Sequence, residues 1–312
     1  MRRENQEASM TKIVLAANLY YKKKYSQQKI AEILQISRPW VSKLLARAEE
    51  LGIVEIRVNS SVNEDAELSD WMRRRYGLEY AGVIREDDSG IDHAAVAAAN
   101  YFLSRLHENV TVGISWGKSL SRVMDNLPDV HIGGLRVVPL AGSFGDSVEY
   151  LPNFNALHIA DKTGGEALLL HVPAFCASEE EYEAIRSSTG CSEVLEQAER
   201  TDVALIGAGA LEDSFLMRSG ILSREQREEL RSIGIVGDVS LNFINAKGER
   251  VDTDLTRRII CADVREIRKN AESVIVFAEG TQKVETIRAI LEGHLCTALI
   301  TSVDTARLLL ED

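Results

Sequence analysis

The chain of 312 residues has only four cysteines, and they lie far apart. Cys176, Cys191, Cys261 and Cys296 form no Cys-x-x-Cys pair, which argues against a disulfide framework or a zinc site. No apolar run approaches the ~20 residues that a membrane-spanning helix needs. The first ten residues, MRRENQEASM, lack the apolar stretch of a signal peptide. We therefore expect a cytoplasmic protein with reduced thiols and no contact with membranes.

The sequence also lacks the common signatures of catalysis. It contains no GxSxG, HExxH or complete GxxxxGK[ST] motif, and its six histidines are dispersed. We find no carboxylates paired as a general acid and base. We therefore expect a protein that is not an enzyme and that uses no metal or cofactor.

Positive charge is scarce overall but is concentrated at one end. The net charge is −12, yet the segment from Met1 to Val58 holds 11 basic and 6 acidic residues, a net charge of +5. The remainder holds 25 basic and 42 acidic residues, a net charge of −17. A basic first domain on an acidic body suits a protein whose first domain alone contacts nucleic-acid phosphates.

The segment from Ser26 to Ala48, SQQKIAEILQISRPWVSKLLARA, has the pattern of a helix-turn-helix. Ser26 and Ser37 stand where N-caps are expected, and Pro39 falls in the first turn of the second helix, where its missing N–H is harmless. Gln35 occupies a turn position usually given to glycine, and a left-handed conformation there costs on the order of 1 kcal/mol. Apolar residues at helical spacing predict the inner faces, which comprise Ile30, Ala31, Leu34, Val41, Leu44, Leu45 and Ala48.

The second helix of this motif is expected to be a recognition helix. Together with the helix starts, it supplies basic and polar side chains that suit bases and phosphates. The candidate DNA-binding residues are Ser26, Gln27, Gln28, Ser37, Arg38, Pro39, Trp40, Ser42, Lys43 and Arg47. The alternative is an ordinary helical hairpin with a solvated basic face.

Two further elements would complete a winged helix-turn-helix domain over residues 1–58. A helix is predicted from Met10 to Lys22, after a frayed start from Met1 to Ser9. A strand from Ile53 to Val58 follows a C-cap at Gly52 and would be the wing. Residues 59–77 are expected to form a linker with a helix from Glu64 to Tyr76, whose inner side holds Leu68, Trp71 and Met72. This helix would be a hinge, a dimer contact or, as we favour, the first packing helix of the next domain.

Strands and helices alternate over residues 78–312, which predicts a parallel sheet covered by helices, a Rossmann-like α/β domain. A strand pair is expected from Val239 to Val251, with its turn at Asn245 to Gly248. Other strands are expected over Tyr80 to Ile84, Val110 to Ile114, Leu135 to Leu140, Glu166 to Val172, Val203 to Ile206, Ser273 to Ala278 and Ala298 to Thr301.

Glycine-rich turns follow several of these strands, where an open α/β sheet binds its ligand. Small residues, hydroxyls and a lysine at a helix start suit a phosphate or another oxyanion. Asp238, in VGDVS, is expected to follow another strand and to accept protons from sugar hydroxyls. The candidate ligand-binding residues are Gly113, Ser115, Trp116, Gly117, Lys118, Ser119, Gly142, Ser143, Gly207, Asp238 and Lys283. Each has a simpler alternative: a tight turn, a solvated lysine or, at Asp238, the cap of a turn.

Nearly the whole chain resembles the SorC family of sugar-binding bacterial transcription regulators, which includes the central glycolytic gene regulator. The most specific stretch is LAANLYYKKKYSQQKIAEILQISRPWVSKLLARAEELGIVEIRV. The motifs VGISWGKSL, VVPLAGSFG, DVALIGAGAL, LRSIGIVGDVSLNFINAKGERV and VIVFAEGTQKVETIRAILEGHL follow in the family's order. Gln35, Trp40, Trp116 and FAEG depart from the family's usual residues.

The resemblance implies an effector domain related to sugar-phosphate isomerases, which senses a sugar or sugar phosphate and changes affinity for operator DNA. It implies that the Ser115 to Ser119 loop holds phosphate, that Asp238 meets the sugar, and that Lys283 meets phosphate or carboxyl oxygens. A homodimer or homotetramer is the implied assembly. Trp40 is expected to help select the operator. An active sugar-phosphate isomerase or hydrolase with a DNA-binding head, and a constitutive DNA-binding scaffold, remain the alternatives.

Overall fold

The chain divides into two units, Met1–Asn59 and Ser60–Asp312. The computed structural model describes residues 2–23, 25–51, 53–54, 63–143, 152–212, 217 and 222–311. Across these residues, no helix combines the length and the apolar character needed to cross a membrane.

The first unit is built from α1 (Arg2–Ala17), α2 (Gln27–Leu34) and α3 (Arg38–Glu50). Leu34 is partly buried, and every other residue predicted to face inward on α2 and α3 is buried. The helix-turn-helix segment therefore packs as its apolar period predicts. The core of this unit comprises Ile13, Ala16, Ala17, Ile30, Ala31, Val41, Leu44, Leu45 and Ala48.

The first helix differs from its prediction at both ends. It begins at Arg2, so a frayed start over residues 2–9 was wrong. These residues are mostly good helix formers that carry no apolar period, and the apolar pattern therefore missed them. The last part, Asn18–Lys22, is a π-helix in which Lys23 donates its N–H to the Asn18 carbonyl at 3.1 Å.

The turn between α2 and α3 has the strained conformation expected at Gln35. This residue has φ 52° and ψ 44°, in the left-handed region. The N–H of Ile36 donates to the Ala31 carbonyl at 3.0 Å, which closes the end of α2. Ser26 caps the start of α2 by accepting the N–H of Lys29 at 3.2 Å.

The predicted wing falls mostly on residues that the structure does not describe. Gly52 and residues 55–58 lie outside the described residues. Ile53 and Val54 form a bend in which both N–H groups donate to the Ala48 carbonyl, at 2.9 and 3.2 Å. The first two residues of the predicted strand are therefore not a strand, and the rest of the wing stays a prediction.

The second unit is built around a seven-stranded parallel sheet of order β1-β10-β9-β5-β2-β3-β4, with a separate antiparallel sheet of order β6-β7-β8. The chain leaves β2 toward β3 but leaves β5 toward β9, so the neighbours β2 and β5 form the topological switch point. The strands are β1 (Tyr80–Ile84), β2 (Thr111–Ile114), β3 (Arg136–Pro139), β4 (Glu166–Ala167), β5 (Val203–Ile206), β6 (Ala208–Ala210), β7 (Ile235–Val239), β8 (Asn242–Asn245), β9 (Ser273–Phe277) and β10 (Ala298–Ser302).

Helices cover both faces of the parallel sheet. The helices of this unit are α4 (Ala66–Tyr76), α5 (His93–Ser104), α6 (Lys118–Asp125), α7 (Pro152–Thr163), α8 (Glu179–Arg186), α9 (Thr189–Glu199), α10 (Arg224–Ser232), α11 (Val264–Asn270), α12 (Val284–Glu292) and α13 (Val303–Leu310). Buried residues of α5, α6 and α7 form one core, and those of α4, α9, α11, α12 and α13 form another on the opposite face. This arrangement confirms the predicted α/β fold class.

The antiparallel sheet corrects the predicted strand pair. The longer pairing joins β7 to β8 through a turn at Ser240 and Leu241, whose φ values are 49° and 66°. Neither residue is a glycine or asparagine, so the sequence gives no signal for this turn. The turn predicted at Asn245 to Gly248 exists, but it leads only to a single bridge between Ile244 and Arg250.

Two other predictions in this unit were wrong in detail. The strand expected from Glu166 to Val172 contains only Glu166 and Ala167, since the chain leaves the sheet toward Pro173. Trp71 is 38% exposed, whereas Met72 and Tyr76 carry the inner face of α4.

Candidate functional site

The outward face of α3 carries the side chains predicted to contact DNA. Arg38, Trp40, Ser42, Lys43 and Arg47 are all exposed, and Trp40 is 49% exposed despite its size. The ammonium of Lys43 lies 5.8 Å from the centre of the Trp40 ring, within the range of a cation–π contact. This face therefore combines an aromatic surface with positive charge.

The remaining DNA-binding candidates lie at the starts of the two helices. Ser26, Gln28, Ser37 and Pro39 are exposed, whereas Gln27 is partly buried. The Ser26 hydroxyl is already used as the cap of α2. The carbonyl of Ser37 accepts the first amides of α3, from Trp40 at 2.9 Å and Val41 at 3.1 Å.

In the second unit, the switch point brings together residues from distant loops. Gly207 directly follows β5, and a Cβ built there would meet nothing closer than the Trp116 carbonyl at 3.9 Å and the Phe277 carbonyl at 4.0 Å. The loops after β2 and β9 therefore flank the end of β5. Gly117 caps α6 without a side-chain hydrogen bond, so the first turn of this eight-residue helix suits an anion.

Ser119 and Lys283 join the two flanking loops. The Lys283 ammonium donates to the Ser119 hydroxyl at 3.2 Å, although the residues are 164 positions apart in the sequence. Lys118 is the first residue of α6 and is exposed. Ser119 and Lys283, two of the predicted phosphate-binding residues, therefore meet at one edge of the sheet, whereas Ser115 is buried.

Asp238 lies beside this pair but inside β7, rather than after a strand as predicted. Burial raises the pKa of its carboxyl to about 6, against the hydrogen bond from Leu241 and the positive charge of Lys283. Its Oδ2 accepts the Leu241 N–H at 3.0 Å, so Asp238 does cap the β7–β8 turn. A Cβ at Gly209 would lie 2.4 Å from its Oδ1, so the carboxylate needs a glycine opposite it.

Other predicted glycines have packing roles. Within β2, a Cβ at Gly113 would lie 2.7 Å from Leu140, and a Cβ at Gly142 would lie 2.6 Å from the Pro173 carbonyl oxygen. Ser143 pairs by its backbone with Val172 and Ala174, both at 2.9 Å. These contacts explain the three residues without a ligand.

Sequence reasoning missed two polar groups that hold this edge together. Arg122, one turn after Ser119, binds Asp92 through Nε at 2.5 Å and Nη2 at 2.7 Å, and binds Glu279 through Nη1 at 2.5 Å. These carboxylates raise the pKa of Arg122.

The second group is Asn155, which is fully buried and donates to the Ser115 carbonyl at 3.0 Å. Only the FAEG stretch, noted as unusual, gave a signal for Glu279.

No metal centre accompanies these groups in the described part of the chain, where no three His, Cys, Asp or Glu side chains are placed to hold an ion. A basic, exposed helix on a helix-turn-helix unit and a group of polar residues at the switch point of an α/β unit are typical of ligand-responsive DNA-binding regulators.

Comparisons with known proteins identify the family within this class. Residues 60–311 match the Sugar-bind family model, a sugar-binding domain. The chain is 30% identical over 321 residues to the deoxyribonucleoside regulator of Bacillus subtilis (strain 168), with 100% of both chains covered. It is 28% identical to the erythritol catabolism regulatory protein EryD of Brucella abortus (strain 2308), with 95% of both covered.

The solved structures agree with these relatives. The full-length sorbitol operon regulator SorC from Klebsiella pneumoniae has a TM-score of 0.76 and 27% identity, with 96% of this chain and 97% of that chain covered. The chain belongs to the SorC family of sugar-binding transcriptional regulators and is a sugar-responsive, DNA-binding regulator. Its relatives are regulators rather than enzymes.

Proposed function

We propose that the polar residues gathered at the switch point bind a phosphorylated sugar and that this ligand controls how α3 binds operator DNA. The observation that carries the proposal is the Lys283 to Ser119 contact at 3.2 Å. It places an ammonium and a hydroxyl at the start of α6, where a phosphate gains both the helix amides and the lysine charge. Asp238 then accepts protons from sugar hydroxyls.

In the first unit, the exposed face of α3 enters the major groove. Arg38, Lys43 and Arg47 contact bases and phosphates, and Trp40 helps select the operator sequence. The chain works as a homodimer or homotetramer, so that two recognition helices reach half-sites about 34 Å apart or a multiple of that. The exposed apolar residues Met10 and Val14 of α1 support contact with a second copy. Sedimentation of the full chain with and without operator tests this assembly.

A thermal-shift screen tests the ligand. The relatives are named for deoxyribonucleosides, erythritol and sorbitol. The panel is therefore 2-deoxyribose 5-phosphate, erythritol 4-phosphate and sorbitol 6-phosphate, with their unphosphorylated forms and inorganic phosphate. A ligand of the folded state raises the melting temperature. We expect a shift from a phosphorylated member that exceeds that from its free form. No shift from any member would favour a constitutive scaffold, and turnover of a sugar phosphate would favour an enzyme.

Lys283→Ala tests the site itself. A hydrogen bond to a charged group is worth about 1.5–3 kcal/mol, so we expect ligand affinity to fall roughly 10- to 100-fold. Operator affinity without ligand should not change. Lys269→Ala is the control, because Lys269 is an exposed lysine of α11 that pairs only locally with Glu266 at 3.3 Å. Unfolding of the Lys283 variant would show that this lysine is structural.

A further inference from the structure

Arg122 connects three loops at the carboxyl edge of the parallel sheet. It extends from α6, which begins within the Ser115 to Ser119 loop, the candidate effector loop. Its guanidinium binds both oxygens of Asp92, which precedes α5, and one oxygen of Glu279, which follows β9. The guanidinium also lies 5.4 Å from the centre of the Phe277 ring. A planar group with several donors suits this arrangement, whereas a single ammonium does not.

These contacts place the effector loop and Arg122 on the same rigid element. Ser119 and Arg122 are three residues apart on α6 and therefore neighbours on its surface. Ser119 contacts Lys283, and Arg122 contacts Glu279. Glu279 and Lys283 are four residues apart in the same loop, between β9 and α12. A ligand that rearranges Ser119 and Lys283 must therefore also strain or relax the contacts of Arg122.

From Asp92 the contacts continue to the segment where the second unit begins. Asp92 caps α5 by accepting the Ala95 N–H at 3.0 Å. The first residue of α5, His93, contacts Asp87 at 3.1 Å, and the other oxygen of Asp87 accepts a hydrogen bond from the side chain of Asn63 at 3.1 Å.

The segment from Asn63 to Asp65 is itself bonded to the edge strand of the sheet. Arg85 donates its N–H to the Asn63 carbonyl at 2.8 Å, and Asp65 donates its N–H to the Val83 carbonyl at 2.8 Å. Glu64 and Ile84 form an antiparallel bridge. The chain that arrives from the DNA-binding unit is therefore fixed to β1 and to the β1–α5 loop.

We infer that Arg122 is a positioning residue that transmits ligand-dependent movement of α6, through Asp92 and Asp87, to the segment from Asn63 to Asp65. The inference rests on the proposed function, because it takes the start of α6 as the ligand site. It gives Arg122 no contact with the ligand or with DNA. Its role is to couple the affinity for the ligand to the affinity for operator DNA.

The test measures operator affinity of the full chain with and without the panel sugar phosphate that gives the largest wild-type thermal shift. Coupling between sites typically changes affinity 5- to 150-fold. We expect Arg122→Met to reduce that factor to less than about twofold. Asn63→Ala should reduce the factor at least threefold while its ligand affinity stays within twofold of wild type. Arg122→Lys should restore coupling only in part.

Two variants control for loss of a similar contact elsewhere. Arg231→Met removes a two-bond contact between Arg231 and Glu212, at 2.6 and 2.7 Å. Asn270→Ala removes one exposed amide hydrogen bond, to the Glu199 carbonyl at 2.8 Å. Both should keep the wild-type factor. A wild-type factor in Asn63→Ala and Arg122→Met would overturn the inference, and the Asn63 variant decides the matter should Arg122→Met fail to fold.

A measurement without ligand separates this inference from the proposed function. Hydrogen exchange at the amides of Asp65 and Arg85 should quicken at least fivefold in Arg122→Met but not in Arg231→Met. If no sugar phosphate changes the melting temperature or the operator affinity of the wild type, the proposed ligand is wrong. Unchanged exchange in Arg122→Met would defeat the positioning role whatever the ligand is.

Discussion

The first unit presents its candidate contact residues on two consecutive helices, α2 and α3, whereas the second unit draws them from loops far apart in the sequence. On α3, Arg38, Trp40 and Lys43 lie within six residues and share an exposed face. At the switch point, Ser119 meets Lys283 across 164 positions. A contiguous surface tolerates change in its neighbours, but a site shared between loops depends on every contact that holds those loops together.

The two regions also differ in how they carry charge. The lysines and arginines of α3 are exposed, and the Lys43 ammonium lies over an exposed indole. In the second unit, Arg122 is paired with two carboxylates, and Asp238 is buried. Electrostatic effects at α3 should therefore be screened by salt, whereas those at the switch point should persist.

The largest expected effect is the loss of operator affinity in the double variant Arg38→Ala/Lys43→Ala. Loss of a good base contact costs about 1–3 kcal/mol, so two such losses should weaken binding by roughly 100-fold or more. The slope of affinity against salt concentration should also become shallower, because fewer phosphates are neutralised. Fluorescence anisotropy with operator DNA over a salt series measures both quantities.

A double variant of the second unit provides the control for this prediction. Arg224→Ala/Lys269→Ala removes two exposed charges that pair within their own helices, with Glu228 and Glu266. It should keep wild-type affinity and salt dependence. Equal losses in the two double variants would mean that net charge, rather than α3, determines binding.

The same contrast explains what the sequence could predict. A helical period needs only neighbouring residues, so the buried face of α2 and α3 followed directly from Ile30, Val41 and Leu44. Apolar runs bounded by polar residues or glycine gave β1, β5 and α13 with their observed bounds. Glycine turns after β2 and β5 then indicated a ligand-binding edge of the sheet, because parallel strands share one carboxyl edge.

What the sequence missed depends on contacts between distant loops or on backbone geometry. The bonds of Arg122 form only when α6, the β1–α5 loop and the β9–α12 loop meet. The turn at Ser240 and Leu241 contains no glycine, so the sequence did not indicate where β7 ends. Asp238 was therefore predicted to follow a strand, whereas it lies within β7. The early start of α1 rests on helix propensity rather than apolar spacing.

Asp238→Asn tests the buried charge of the second unit. Because burial raises the pKa of Asp238 from 3.8 to about 6, the folded state binds this proton more tightly than the unfolded state. Wild-type stability should therefore fall, relative to the variant, as pH rises from about 4 to about 6 and level off above that. Asparagine keeps an acceptor for the Leu241 N–H, so we expect the variant to be about 1–3 kcal/mol more stable at pH 8.

Urea denaturation between pH 4 and pH 8, in a buffer without phosphate, measures this difference. The exposed Asp254 supplies the control, and Asp254→Asn should show no gap that grows with pH. A difference between wild type and Asp238→Asn that widens toward acid pH would contradict the assignment of a buried, costly charge. The variant should still bind a sugar ligand less well, since asparagine replaces the acceptor for a hydroxyl proton.

The smallest expected effect is that of Gln35→Gly in the first unit. Gln35 holds φ 52°, which costs a residue with a Cβ about 1 kcal/mol and costs glycine little. Glycine also has more freedom in the unfolded chain, so the net gain in stability should be about 0.5 kcal/mol. Slower hydrogen exchange at the amides of Ile30, Ile36 and Val41 in the full chain reports this gain. Operator affinity should stay within twofold, because the exposed face of α3 is unchanged; a large loss of affinity would show that the Gln35 side chain itself contacts DNA.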